Sequence, residues 1–354
     1  MGRRRPGDAH VKHHIKAIDR LLGNRHLHAE RDDIYRALAL SLLQNSKRPI
    51  LLVDWADFEL DRKWLMLKAA VPMGGRALTI YEKVFPFKRY NSPGAHREFL
   101  QTLRRILPAH CAPILVTDAG FRGPWFREVE ALGWDWVGRI RNTIKYFNEA
   151  TGRWRLVPSL YKQATPKVQH LGEVTLSRRK RYRARLYLVR AYKTRMGRPD
   201  RRARRKQPNA NLYRRLHKAP WLLATSLPHG RLMGRKVKQL YATRMQIEQT
   251  FRDTQCHRWG LSLRYAGSRN GKRLEILLLI GALAMFLLWL LGVYGRRHDL
   301  ARHLQANTER KRAVLSVVFI GAQLLQRLES LPTVFELSEL IPDLHSLMEE
   351  ASPL

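Results

Sequence analysis

The chain has 354 residues, room for about two ordinary domains, and 45% of them are hydrophobic; a sizeable core can form, which excludes global disorder and a small disulfide scaffold. Against 29 Asp and Glu stand 66 Lys and Arg, a formal charge of +37 that repels itself unless it meets a polyanion, and nucleic acid is the commonest one. Of those cations 48 are Arg, whose planar fork suits phosphate oxygens, although a GC-rich genome also raises arginine content.

Residues 1–48 read as basic and helical. Apolar positions recur at Ile15, Ile18, Leu21 and Leu22, then at Ile34, Leu38, Leu40 and Leu42, with Asp32 or Asp33 as a cap for the second helix. No apolar run stands behind the N-terminal arginines, so no signal peptide is expected. After a break at 45–49, the run Ile50 to Val53 stops at Asp54, and two more runs (Leu65 to Val71, Ala77 to Phe85) follow across short turns, which predicts an antiparallel meander. A helix fits Glu98 to Leu107. A fourth strand, Ala112 to Thr117, ends on Asp118; a helix about Pro124 to Leu132 and a fifth strand at Val137 to Ile140 come next. Strands first, then helix and strand in alternation, predict an α/β layer structure.

From 141 to 235 the texture changes to short aromatic and β-branched pieces interleaved with arginine, such as YRARLYLVRAY from Tyr182 to Tyr192. Between Arg178 and Lys206, 15 of 29 residues are Lys or Arg; Arg195 to Gln207 reads as a solvated basic loop, while the strand with interleaved aromatics suits a face toward nucleic acid. Helical periodicity returns after Pro228-His229-Gly230. Ile276 to Val293 is apolar throughout and admits two readings, a membrane span or a helix buried on every side in a large core. The end, 333–354, is acidic and reads as a small helical appendage. Cys111 and Cys256 stand 145 positions apart, which gives neither a zinc knuckle nor a disulfide framework, and a reducing cytoplasm is the simplest home. The 14 His residues show no four-ligand zinc spacing.

Three acids carry the candidate chemistry. Asp54 and Asp118 each close an apolar strand, where a sheet opens to ligand, although Asp also serves such places as a plain turn residue. The third, Glu248, falls in the stretch QLYATRMQIEQTFRDTQC from Gln239 to Cys256, read as one helix. Tyr241, Arg244, Glu248 and Gln255 share one face of it, with Met245, Ile247 and Phe251 elsewhere; Arg244 and Glu248 could equally be a surface ion pair at i,i+4 spacing.

Asp54 in LLVDWADF, Asp118 in ILVTDAGF and the spacing Tyr241-x2-Arg244-x3-Glu248 together resemble the Asp-Asp-Glu transposases of the insertion-sequence-four family, over about His13 to Gln326. The separations, 64 residues between the aspartates and 130 from Asp118 to Glu248, are similar to the family's. The resemblance implies a ribonuclease H-like catalytic core, a mixed sheet flanked by helices, interrupted by a β-strand insertion domain. On that plan 1–48 is a short helical DNA-binding region, 49–140 and 236–330 are the two halves of the core, 141–235 is the insertion and 331–354 an acidic tail. The apolar run from 276 to 293 becomes the helix behind the catalytic sheet, with no membrane involved.

The same resemblance implies cut-and-paste transposition in a bacterial cytoplasm, on double-stranded DNA at transposon ends and target, by a homodimer in a synaptic complex. Asp54, Asp118 and Glu248 would hold two Mg2+ ions, or Mn2+ in their place; such ions want hard oxygen donors and act as a pair about 3.5 to 4 Å apart. Tyr241 and Arg244 would hold the entering strand. Trp221 is similar to the tryptophan on which such enzymes stack a flipped base, and it reads equally well as a core residue capping a strand. Two departures stand out. Gln255 replaces the lysine that ends the family signature, trading a point charge for neutral hydrogen bonds, and the N-terminal region is short. Both features also fit a remnant that binds DNA without cutting it.

Overall fold

The coordinates are a computed structural model that describes residues 9–44, 46–57, 63–179, 181–190, 219–255, 263, 268, 270–306, 314–327, 332–350 and 352. They divide into two units, one of Met1–Pro113 with Thr243–Ser352 and one of Ile114–Ala242.

In the first unit, α1 (Val11–Leu22) and α2 (Arg25–Leu43) precede an antiparallel meander of β1 (Ile50–Asp57), β2 (Trp64–Pro72) and β3 (Ala77–Pro86), in the order β3-β2-β1. β2 and β3 are buried at almost every position, so side chains of both faces are covered; α2, α3 (Pro93–Ile106), α6 (Met245–Gln255) and α7 (Gly271–Arg297) all pack against these strands or one another. The cap of α2 is Asn24, whose side chain accepts from the His26 and Leu27 amides, so the helix starts earlier than the expected cap at Asp32 or Asp33. A side-chain amide closer to the first turn satisfies its orphan N–H groups, and the two aspartates fall inside the helix. α2 also sends Arg31 into the core, where Nη1 lies 3.3 Å from Glu275 of α7 and donates to the Glu82 carbonyl of β3 at 3.2 Å.

The apolar run sits within α7, a helix long and apolar enough to cross a membrane; 67% of its most apolar window is buried inside the fold. α8 (Val317–Arg327) lies along it at backbone contact: a Cβ on Gly292 would strike the Val317 carbonyl, and one on Gly321 the Leu288 carbonyl. Two short helices, α9 (Val334–Ser338) and α10 (Ile341–Glu350), end the unit, with Leu344 fully buried and His345 Nε2 2.9 Å from the Ser41 carbonyl oxygen.

The second unit holds a mixed sheet in the order β4-β5-β10-β9-β8-β6-β7. β4 (Ile114–Thr117) and β5 (Asp135–Ile140) run parallel and are joined by α4 (Gly123–Ala131), as a crossover connection requires. β6 (Lys145–Asn148), β7 (Arg153–Leu156), β8 (Gln169–Leu176), β9 (Tyr182–Val189) and β10 (Trp221–Thr225) pair antiparallel, and α5 (Met233–Thr243) follows. β9 buries Tyr182, Ala184 and every residue from Leu186 to Val189, so its aromatics pack inward, with Arg183 exposed and Arg185 half-buried against Glu173. The basic loop expected from Arg195 to Gln207 lies outside the described residues, as does Cys256. The class is mixed α/β, and meander, helix, strand, helix, strand is the element order of a ribonuclease H-like core.

Two expectations are corrected. Asp54 does not end its strand: β1 continues to Asp57, because Trp55 and Ala56 still find cover and Asp54 to Asp57 keep their register with β2. The single helix from Gln239 is broken at Arg244, with α5 ending at Thr243 and α6 starting at Met245. Arg244, the residue at the break, pairs with Glu248 four residues on and with Asp54 of β1.

Candidate active site

Asp54 stands in β1 just after the buried run Ile50 to Val53. Its neighbour Trp55 points to the opposite side of the strand, where its ring lies 5.5 Å from Phe85, 5.4 Å from Tyr90 and 6.0 Å from His96. That aromatic cluster fixes the pleat and so fixes the side to which Asp54 is presented. The Asp54 carboxylate accepts the Trp55 amide on Oδ1 at 2.9 Å, and its Oδ2 lies 3.3 Å from Arg244 Nη1. The same Nη1 lies 2.7 Å from Glu248 Oε1. Two carboxylates far apart in sequence therefore meet at one nitrogen, with side chains 14% and 33% exposed around a guanidinium at 13%.

α6 brings Glu248 there because it is pinned on three sides. Ile247 and Phe251 are buried. Gln246 Oε1 accepts the Met73 amide at 2.9 Å, Thr250 Oγ1 accepts the Ala77 amide at 2.8 Å, and Asp253 pairs with Arg76, so residues at i, i+4 and i+7 grip the β2–β3 turn. Sequence reasoning missed this stripe; its signal was the helical spacing of three polar residues beside the one that drew attention. At the helix end Gln255, exposed, donates its amide to the Asp57 carbonyl at 2.5 Å. Behind Asp54, its register partner Lys68 on β2 is 2% exposed, pairs with Glu82 of β3 at 2.5 Å and lies 5.1 Å from the Phe251 ring centre.

In the second unit Asp118 directly follows β4, half-buried, with Oδ1 accepting the Gly120 amide at 2.7 Å in a tight turn. Trp221 opens β10, half-buried, and its ring meets that of Tyr241 edge to face at 5.0 Å. Tyr241 is only 5% exposed, so its ring is a packing surface for Trp221. The structure thus joins Asp54, Arg244 and Glu248 in one unit, and Trp221 with Tyr241 in the other.

Among the described residues no group of three or more His, Cys, Asp or Glu side chains is gathered that could hold a metal ion. Asp54 and Glu248 nevertheless form a pair of hard oxygen donors already closed around a positive charge, the chemistry a magnesium-class ion requires, and such ions are commonly held by one or two carboxylates. Cys111 is no rival ligand: burial pushes its thiol up to about 11, and it donates to the Ser46 carbonyl at 2.9 Å.

Residues 45–287 match the transposase DDE domain, over more than half of the chain. The chain belongs to the transposase DDE domain family. No curated protein matches it. Among solved structures this DDE domain is similar to the piggyBac transposase in a cryo-EM structure of its synaptic complex with hairpin DNA, at 10% identity and a TM-score of 0.38. The match covers 84% of this chain and 57% of the piggyBac chain, so the chain spans less than two thirds of that protein. Asp54, Asp118 and Glu248 all fall inside the segment that matches the family.

Proposed function

We propose that this transposase cuts phosphodiester bonds at the ends of a mobile element and joins the freed 3′-hydroxyls to target DNA, on the cut-and-paste plan of the insertion-sequence-four group. The observation that supports the reading best is the meeting of Asp54 and Glu248 at a single guanidinium nitrogen, inside a chain that matches the DDE domain. Asp118, on the tip of its own strand, is the third acid of the proposal. When bound, two Mg2+ ions, or Mn2+, supply activation of the attacking oxygen and neutralisation of charge on the phosphate.

The chain's own groups do the rest. Asp54 and Glu248 offer the oxygen ligands, and the Trp55 amide orients the Asp54 carboxylate. Arg244 has a planar fork for a strand phosphate. Trp221, backed by Tyr241, offers the open part of its ring to a base, a contact that contributes roughly 1 to 3 kcal/mol where it forms. In this reading 1–48 and the 141–235 insertion grip DNA around a core built from 49–140 and 236–330, with 331–354 as a tail. Two copies act on paired ends in a bacterial cytoplasm, without a membrane.

Purified protein, an end-containing duplex and Mg2+ or Mn2+ provide the test. Cutting is expected, and Asp118→Ala or Glu248→Ala is expected to abolish it; retained cutting by either variant overturns the assignment. A second reading, a remnant that binds DNA without cutting, is favoured by Gln255, whose amide is engaged by the Asp57 carbonyl where the family carries a lysine charge. It predicts binding with no cutting under any metal, and restored cutting by Gln255→Lys would trace the defect to lost phosphate grip.

A further inference from the structure

Arg244 lies at the one non-helical position between α5 and α6, and the cluster it closes is largely shielded from solvent. One nitrogen of its guanidinium is shared between Asp54 Oδ2 at 3.3 Å and Glu248 Oε1 at 2.7 Å. That guanidinium already engages the two oxygens that a divalent cation would need, so arginine and cation compete for the same carboxylates.

Resting on the reading of Asp54 and Glu248 as active-site acids, we propose that Arg244 is a built-in competitor for the metal: in the DNA-free protein it neutralises both carboxylates and holds their affinity for divalent cations down. A DNA phosphate accepts the same fork as well as a carboxylate does, so bound DNA draws the guanidinium away and releases the acids. Metal affinity is then scaled by the fraction of molecules in which the arginine has left. Metal and DNA bind cooperatively, each favouring the state in which the other fits, and the chain does not carry a loaded nuclease centre when off DNA.

The experiment is Mn2+ binding to the full-length, DNA-free protein, read from the electron paramagnetic resonance signal of free Mn2+. Arg244→Gln is expected to bind Mn2+ about 5- to 150-fold more tightly than the unchanged protein, the usual range of such couplings, and Arg244→Lys by less. A short duplex is expected to tighten Mn2+ binding by the unchanged protein and to add little for Arg244→Gln. Equal or weaker Mn2+ binding by a well-folded Arg244→Gln overturns the proposal. Should that variant not fold, indifference of the unchanged protein's Mn2+ affinity to DNA overturns it instead. Asp54→Asn separates this from failure of the underlying reading. If it leaves Mn2+ binding intact in every background, the metal sits elsewhere and the site assignment falls; if it weakens binding while Arg244→Gln fails to strengthen it, only the competitor role falls.

Discussion

Lys68 and Glu82 are 2% and 3% exposed and pair at 2.5 Å on adjacent strands, one strand away from Asp54. Burying either charge alone is costly, whereas a pair replaced as a unit by uncharged side chains of similar volume is often neutral or stabilising. Lys68→Met is therefore expected to cost about 3 to 5 kcal/mol in urea denaturation, because it leaves the Glu82 carboxylate buried without its partner. Lys68→Met combined with Glu82→Gln is expected to recover most of that loss; a double variant as unstable as the single one would assign the cost to packing against Phe251 instead. The same comparison bears on the site, since the pair supports the strand face that presents Asp54.

At the scale of elements, α7 and α8 meet through glycines that leave no room for a side chain. Gly321→Ala forces a methyl group against the Leu288 carbonyl and is expected to cost about 1 to 3 kcal/mol as an overpacked contact. Gly281, in the same long helix, has nothing within 4 Å of the position of a Cβ, so Gly281→Ala is expected to stabilise by up to about 1 kcal/mol through helix propensity. Thermal melts of the two variants should move in opposite directions; a shared direction would contradict the packing described. The break between α5 and α6 belongs to this scale too. Periodicity continues smoothly through QLYATRMQIEQ and helix propensity gives no stop signal there, yet the helix is interrupted at Arg244, the residue that pairs with Asp54 of β1 and Glu248 of α6.

For the whole molecule the charge of +37 is expected to govern the proposed association with DNA. Each phosphate neutralised by Lys or Arg releases counterions, so duplex affinity should fall linearly on a log–log plot against salt, with a slope of about −0.9 per contact. Six or more contacts would lower affinity by about a thousandfold between roughly 50 and 200 mM salt, and a flat salt dependence in a filter-binding or anisotropy titration would sink the proposed electrostatic grip. The sequence by itself determined the mixed α/β class, the meander of three strands and the strand that leads to Asp118, because apolar runs of strand length bounded by turn residues are local signals. It also pointed to a DDE transposase, through three acids at a spacing that resembles such enzymes. Tertiary structure alone decided that β1 runs on past Asp54 and that Gln246, Thr250 and Asp253 pin α6. It alone decided that Arg244 lies between Asp54 and Glu248, and that Tyr241 is buried behind Trp221. Those outcomes depend on which side chains from distant parts of the chain arrive at the same few ångströms, where charge pairing and burial outweigh local preference.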